Sequence, residues 1–123
     1  MNIPKKYVYL HCEPINVKME ILIEKEYLRQ LYEDGKSKDK KHRFQPQVVK
    51  KYTKVVDLMI ASPNTFSLAK YNSLRYEKLV GDKTGISSVR VNDQYRIEFI
   101  EQVEDGETFA TICNLIELSN HYQ

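Results

Sequence analysis

Tryptophan is absent from the 123 residues, cysteine occurs twice, and glycine and proline occur only four times each. Cys12 and Cys113 have neither a disulfide-scaffold nor a metal-site spacing, and Cys113 sits in an apolar run as a small hydrophobe would. No apolar run approaches the roughly 18 residues of a membrane span, and no charged segment followed by an apolar one opens the chain. A reduced, cytoplasmic protein with no membrane partner is expected. No Gly-rich phosphate loop and no Ser/His/Asp motif is present, so no cofactor or metal is expected and cofactor enzymes are disfavoured. Internal repeats are lacking too.

What is present is one domain's worth of chain with an uneven charge. Net charge is only +2, yet residues 1–62 carry 13 Lys or Arg against 8 Asp or Glu, whereas residues 63–123 carry 6 against 9. A basic first half could face a phosphate polymer.

The most informative stretch is Ile86–Ile100, which reads as a β-hairpin. Val89 and Val91 alternate with Ser88, Arg90 and Asn92, and Tyr95, Ile97 and Phe99 alternate with Arg96 and Glu98. The apolar faces coincide only if Val91 lies across from Tyr95, leaving Asn92-Asp93-Gln94 as a three-residue loop. That register sets Arg90 opposite Arg96. Facing like charges cost a few tenths to about 1 kcal/mol, so an anion between them would rationalise the pair.

The remaining chain reads as follows. Residues 1–16 form an arm without a settled structure, in which Tyr7–Leu10 could be a short strand. Residues 17–123 form the main domain. Residues 17–24 alternate as a strand; 25–34 carry a helical face of Tyr27, Leu28, Leu31 and Tyr32 that Gly35 should stop. Lys36–Arg43 is a basic, apolar-free run, read first as a solvated linker and second as a nucleic-acid contact. Pro46 opens a helix whose stripe is Val48, Val49, Tyr52, Val55, Val56, Met59 and Ile60. One or two helical turns follow over 65–71, then a strand over Leu74–Val80, the hairpin, and a long apolar strand over 109–118, expected to be central in its sheet. Helices early and strands late predict an α+β fold: a small, mostly antiparallel sheet with two N-terminal helices packed on one face. The hairpin arginines should lie on the other, open face.

Arg90, Arg96 and the terminal His121, with Tyr122, Glu77 and Lys78 as helpers, are the candidates for chemistry. Phosphodiester cleavage by an attacking ribose 2′-OH needs a base, an acid for the leaving oxygen, and fixed donors for the phosphorane. Histidine can supply the first two and arginine the third. Taken singly, each is commonly only a solvated surface residue, and His11 and His42 rank lower still.

Leu74-Arg-Tyr-Glu-Lys-Leu-Val-Gly-Asp82, then Ser88-Val-Arg-Val-Asn-Asp-Gln-Tyr-Arg-Ile-Glu-Phe99 and a terminal histidine, resemble the RelE/ParE toxin superfamily, and within it the HigB-type toxins. The resemblance implies a RelE-like fold and a type II toxin that cleaves mRNA on the ribosome without metal, restrained by a cognate helix-turn-helix antitoxin. It further implies that Arg90 and Arg96 contact the scissile phosphate and that His121 does acid–base or positioning work, with Tyr122 a weaker candidate. Arg75, Lys78 and Lys83 are candidate RNA contacts. Members often end Asp-Tyr-His, where this chain has Ser119-Asn120-His121, so a carboxylate beside the histidine is missing. Glu77 is left as either a base or a surface residue. Alternatives are a ParE-like, non-enzymatic gyrase inhibitor and a toxin fold without activity.

Overall fold

A computed structural model describes residues 8–10, 18–104 and 110–120. Six strands form one sheet in the order β1-β2-β6-β5-β4-β3: Val8–Leu10, Lys18–Leu22, Ala110–Ser119, Arg96–Glu104, Ser87–Arg90 and Glu77–Lys78. Among the described residues only β2 and β6 run parallel, and every other pair is antiparallel. Central placement of the apolar β6 matches its sequence. Residues 8–10, part of the N-terminal arm, pair with β2.

The helices α1 (Glu26–Asp34), α2 (Pro46–Ala61) and α3 (Thr65–Ala69) lie between β2 and β3 in the chain. Helix α1 buries Tyr27, Leu28 and Leu31, and ends where Gly35 turns left-handed at φ 79° and returns its N–H to Leu31. Helix α2 starts on Pro46 and buries Val48, Val49, Tyr52, Val55, Val56 and Met59, while Lys50, Lys51 and Lys54 stay wet. The Tyr52 hydroxyl donates to Leu28 O at 2.8 Å, tying the helices together. Tyr32, expected on the buried face, is half-buried and donates to Asp57 at 2.6 Å.

One core joins these helices to the inner sheet residues Met19, Ile21, Val89, Val91, Ile97, Phe99, Cys113, Leu115 and Leu118. Full burial of a side chain such as Phe99 or Ile97 contributes about 1.5–3 kcal/mol. The helices therefore cover one face of an α+β sheet, as expected.

Two elements depart from the pattern read in the sequence. The strand expected over Leu74–Val80 is reduced to Glu77–Lys78, because Asn72–Leu74 forms a turn of 3-10 helix that sends Leu74 into the core. Arg75 then takes a left-handed conformation at φ 45°, and Val80 is left exposed. In β6 the ladder slips between Glu98 and Phe99, which pair with Glu117 and Leu115. Ile116 is the extra residue of this bulge, and the slip lets both Leu115 and Leu118 point inward.

Candidate functional site

The hairpin forms in the expected register: Val89 pairs with Ile97 and Arg90 with Arg96. Val91 N–H donates to Tyr95 O at 2.9 Å, closing the loop Asn92-Asp93-Gln94. Asn92 Oδ1 accepts from the backbone of Gln94 and Tyr95 at 2.9 and 2.8 Å, the side-chain turn that Asn favours.

Strand alternation puts Ser88, Arg90, Arg96 and Glu98 on the face away from the helices. Ladder pairing extends this face into two rows. One runs Arg90–Arg96–Ser119, the other Glu77–Ser88–Glu98–Glu117. The face is not open along its length as expected: Arg96, Glu98, Ser88 and Ser119 are all buried despite being polar, and Arg90 is the half-exposed member of the pair.

The two arginines share a register position but not a partner. Arg96 Nε donates to Ser88 Oγ at 2.9 Å, and its Nη2 donates to Arg75 O at 2.5 Å. Glu77 lies 3.5 Å from the same Nη2. Arg90 instead turns to the tip and pairs with Asp93, whose side chain is 99% exposed. Each cation thus has its own carboxylate, which relieves the cross-strand repulsion without any bound anion. The left-handed Arg75 aims its carbonyl at Arg96, so an uncommon backbone conformation serves this guanidinium.

Among the expected RNA contacts, Lys83 lies 2.5 Å from the buried Glu98 carboxylate. Arg75 and Lys78 are exposed, the latter on β3. His121 and Tyr122 lie outside the described residues, as does His11. Among the described residues, no three His, Cys, Asp or Glu side chains converge as a metal-holding group, and no helix is long and apolar enough to cross a membrane.

Residues 22–113 match the family model described as the RelE-like toxin of the type II toxin-antitoxin system HigB. The chain belongs to the HigB-like toxin family. Membership implies a cognate antitoxin as partner. No curated protein matches the chain. Among solved structures, the YoeB/ParE toxin from Agrobacterium tumefaciens is similar, with 22% identity over 62% of this chain and 76% of that one, and a TM-score of 0.37.

In this HigB-like chain the site has neighbours that its sequence pattern did not single out. Beyond Leu22, β2 no longer accompanies β6, and the Tyr27 side chain fills its place. Its hydroxyl accepts the Leu118 N–H at 3.0 Å and donates to Glu117 Oε1 at 2.5 Å. Burial, reinforced by the bond to Glu117, pushes this phenol well above its usual range. His42 stacks on the Tyr27 ring with centroids 3.6 Å apart and planes within 12°. The Lys36–Arg43 run is solvated along most of its length, as expected of a linker, yet it is pinned to the fold. Gln30 accepts from Lys38 N at 2.9 Å, Lys40–His42 forms a 3-10 turn capped by Asp39, and Phe44 packs edge-on against Tyr95 at 5.3 Å. A Tyr-to-carboxylate contact across 90 residues leaves no periodicity to read.

Proposed function

We propose that this HigB-like chain is a ribosome-dependent mRNA endoribonuclease acting by attack of the ribose 2′-OH on the adjacent phosphodiester. The observation that carries the reading is the Arg90–Arg96 register on the sheet face away from the helices, taken with the family. Arg96 supplies a rigid cation, held from below by Ser88 and Arg75. Arg90 supplies an exchangeable one, since a surface pair such as Arg90–Asp93 is worth about 0–1 kcal/mol and a phosphate can displace it. Two guanidiniums stabilise the charge that grows on the phosphorane oxygens. His121 moves the proton, and Tyr122 assists. Arg75, Lys78 and, when released from Glu98, Lys83 contact the RNA backbone. A helix-turn-helix antitoxin restrains the toxin in the cytoplasm.

The test is to induce the chain in bacteria and map mRNA 5′ ends on translating ribosomes. New ends should appear with the wild type and fall at least ~100-fold with Arg90→Ala or His121→Ala, the range for losing a transition-state donor or a proton-transfer group. Wild-type induction that yields no new ends, combined with inhibition of gyrase supercoiling by the purified protein, would replace this reading with the ParE-like one.

A further inference from the structure

Helix α1 and the α1–α2 connection bring a buried phenol, an imidazole and a cluster of cations to the end of β6 that pairs with Arg96. We infer that the outer side of the His42 ring is a stacking platform for one nucleobase of single-stranded RNA, an inference that rests on the RNA-cleavage reading above. Three observations support it.

The ring is held in position. Tyr27 lies flat beneath it at 3.6 Å, and His42 Nδ1 is 2.9 Å from Asp39 Oδ2. A platform whose plane is already fixed loses little freedom when a base lands on it. Asp39 is itself anchored by the Lys41 N–H at 2.9 Å. That bond, followed by the one to His42, holds its carboxyl below the ordinary value.

The ring is also reachable. Its side chain keeps 28% of its surface exposed. It lines an open cleft of about 480 Å³ together with Tyr27, Gln30, Lys25, Lys38, Glu26 and Asp39. Both carboxylates in that wall are engaged, Glu26 with Arg29 and Gln30, and Asp39 with the turn. Lys25 donates to Ile116 O at 3.1 Å and lies 3.7 Å from Glu117, which leaves Lys38 as the phosphate-facing charge of the cleft, within a run that also carries Lys36, Lys40, Lys41 and Arg43. A flat ring flanked by cations is the arrangement that binds unpaired nucleotides, since every base presents a π-face and every linkage a charge.

Its placement fits one strand of RNA serving both places. The Tyr27 hydroxyl beneath His42 meets the backbone of Leu118, whose neighbour Ser119 faces Arg96 across the ladder. The platform therefore sits on the side of β6 away from β5, with β6, the Tyr27 phenol and the stacking distance between it and the arginine's strand, a span that a few nucleotides of single strand would cover.

The experiment titrates the fluorescently labelled full-length chain onto bacterial ribosomes stalled with a 2′-O-methylated codon in the decoding site, which blocks cleavage. It is repeated with single abasic nucleotides at each codon position and at the flanking ones. His42→Ala should weaken binding by about tenfold, within the range of one base–aromatic stack, and His42→Phe should restore it to within about threefold. One abasic position should cost the wild type about tenfold and cost His42→Ala nothing. If Arg90→Ala weakens binding while His42→Ala stays within twofold, the platform is wrong and the RNA reading stands. If Phe does not restore binding and every abasic position affects wild type and His42→Ala equally, His42 is a strut for the loop and the inference fails. If the wild type does not bind programmed ribosomes, both readings fall.

Discussion

Replacing each hairpin arginine by alanine should separate stability from function, because the two side chains are held so differently. Arg96→Ala removes a charged donor from Ser88 Oγ and from Arg75 O, with the guanidinium side chain only 8% exposed. Hydrogen bonds from a charged group contribute about 1.5–3 kcal/mol each, and paired losses are not additive. A total near 3–4 kcal/mol is expected, most of it from the buried contacts, because the Glu77 partner is half exposed and solvent-screened. Arg90→Ala removes a pair to a fully exposed loop carboxylate and should cost less than about 1 kcal/mol. For a domain of this size 1 kcal/mol corresponds to roughly 3–5 °C in Tm. Thermal melts should therefore show Arg96→Ala about 10–15 °C below the wild type and Arg90→Ala within about 4 °C. Urea titrations should give the same order, with m-values unchanged. Arg96→Lys should fall between, since an ammonium keeps the charge but cannot fork between Ser88 and the Arg75 carbonyl. Equal destabilisation by the two alanine variants, or a neutral Arg96→Ala, would refute the asymmetry. Loss of toxicity in Arg90→Ala would then be the cleaner functional evidence, because the protein remains folded.

Other outcomes follow from the same contacts. Arg75→Gly should raise stability by about 0.5–1 kcal/mol in urea, because φ 45° costs an L-residue roughly 1–2 kcal/mol and glycine nothing; Arg75→Ala should not, and a gain in both would show that the side chain rather than the backbone is the cause. Tyr27→Phe should cost about 1–2 kcal/mol by leaving the Leu118 N–H without its acceptor and Glu117 without its donor, whereas an unchanged urea midpoint would mean that water takes both places. Burial raises the Cys113 thiol to about 12, so it should resist iodoacetamide at pH 8–9 in the folded chain and react once urea is added. Because that value lies above the unfolded one, its contribution is intact below about pH 8.5 and is lost as pH rises toward 12, which alkaline denaturation curves of the wild type and Cys113→Ala would compare.

The hairpin was legible to the residue because two period-two patterns must share one buried face, and only one loop length allows it. The stripe of α2 and the stop at Gly35 were legible for the same kind of reason: local rules and the fold agree there. What escaped was set by tertiary contact. Nothing local announces that Leu74 leaves a strand-like run for the core, or that the next residue turns left-handed to present its carbonyl to Arg96. The Ile116 bulge breaks the alternation of β6 because Leu115 and Leu118 both face inward. By sequence His42 is one more polar residue in a charged run; the ring beneath it belongs to Tyr27, 15 positions earlier. The stack depends on where β2 ends, which no window around position 42 contains.

The facing arginines raise a question that their separate partners sharpen. A like-charge pair across a ladder is tolerated in the resting chain because each cation is neutralised locally, yet the two neutralisers differ in kind. Arg96 has the half-exposed Glu77 as its counter-charge and is held besides by the buried Ser88 hydroxyl of β4 and the Arg75 carbonyl of the 72–75 turn. That of Arg90 is Asp93, on a three-residue loop in full solvent. If the chain cleaves RNA as proposed, an incoming polyanion would meet one donor already aimed and one that it must take from a weak competitor. On that reading, rigidity on one side would limit the reorganisation needed at the moment of reaction, while exchange on the other would keep the resting chain from carrying two unpaired charges. On this argument Asp93→Asn should strengthen binding of the phosphate backbone and raise the salt sensitivity of that binding, since Arg90 would no longer be neutralised beforehand. Anisotropy titrations of programmed ribosomes at 50 and 200 mM salt would show it; identical affinities and slopes for wild type and Asp93→Asn would mean that Arg90 never leaves its loop.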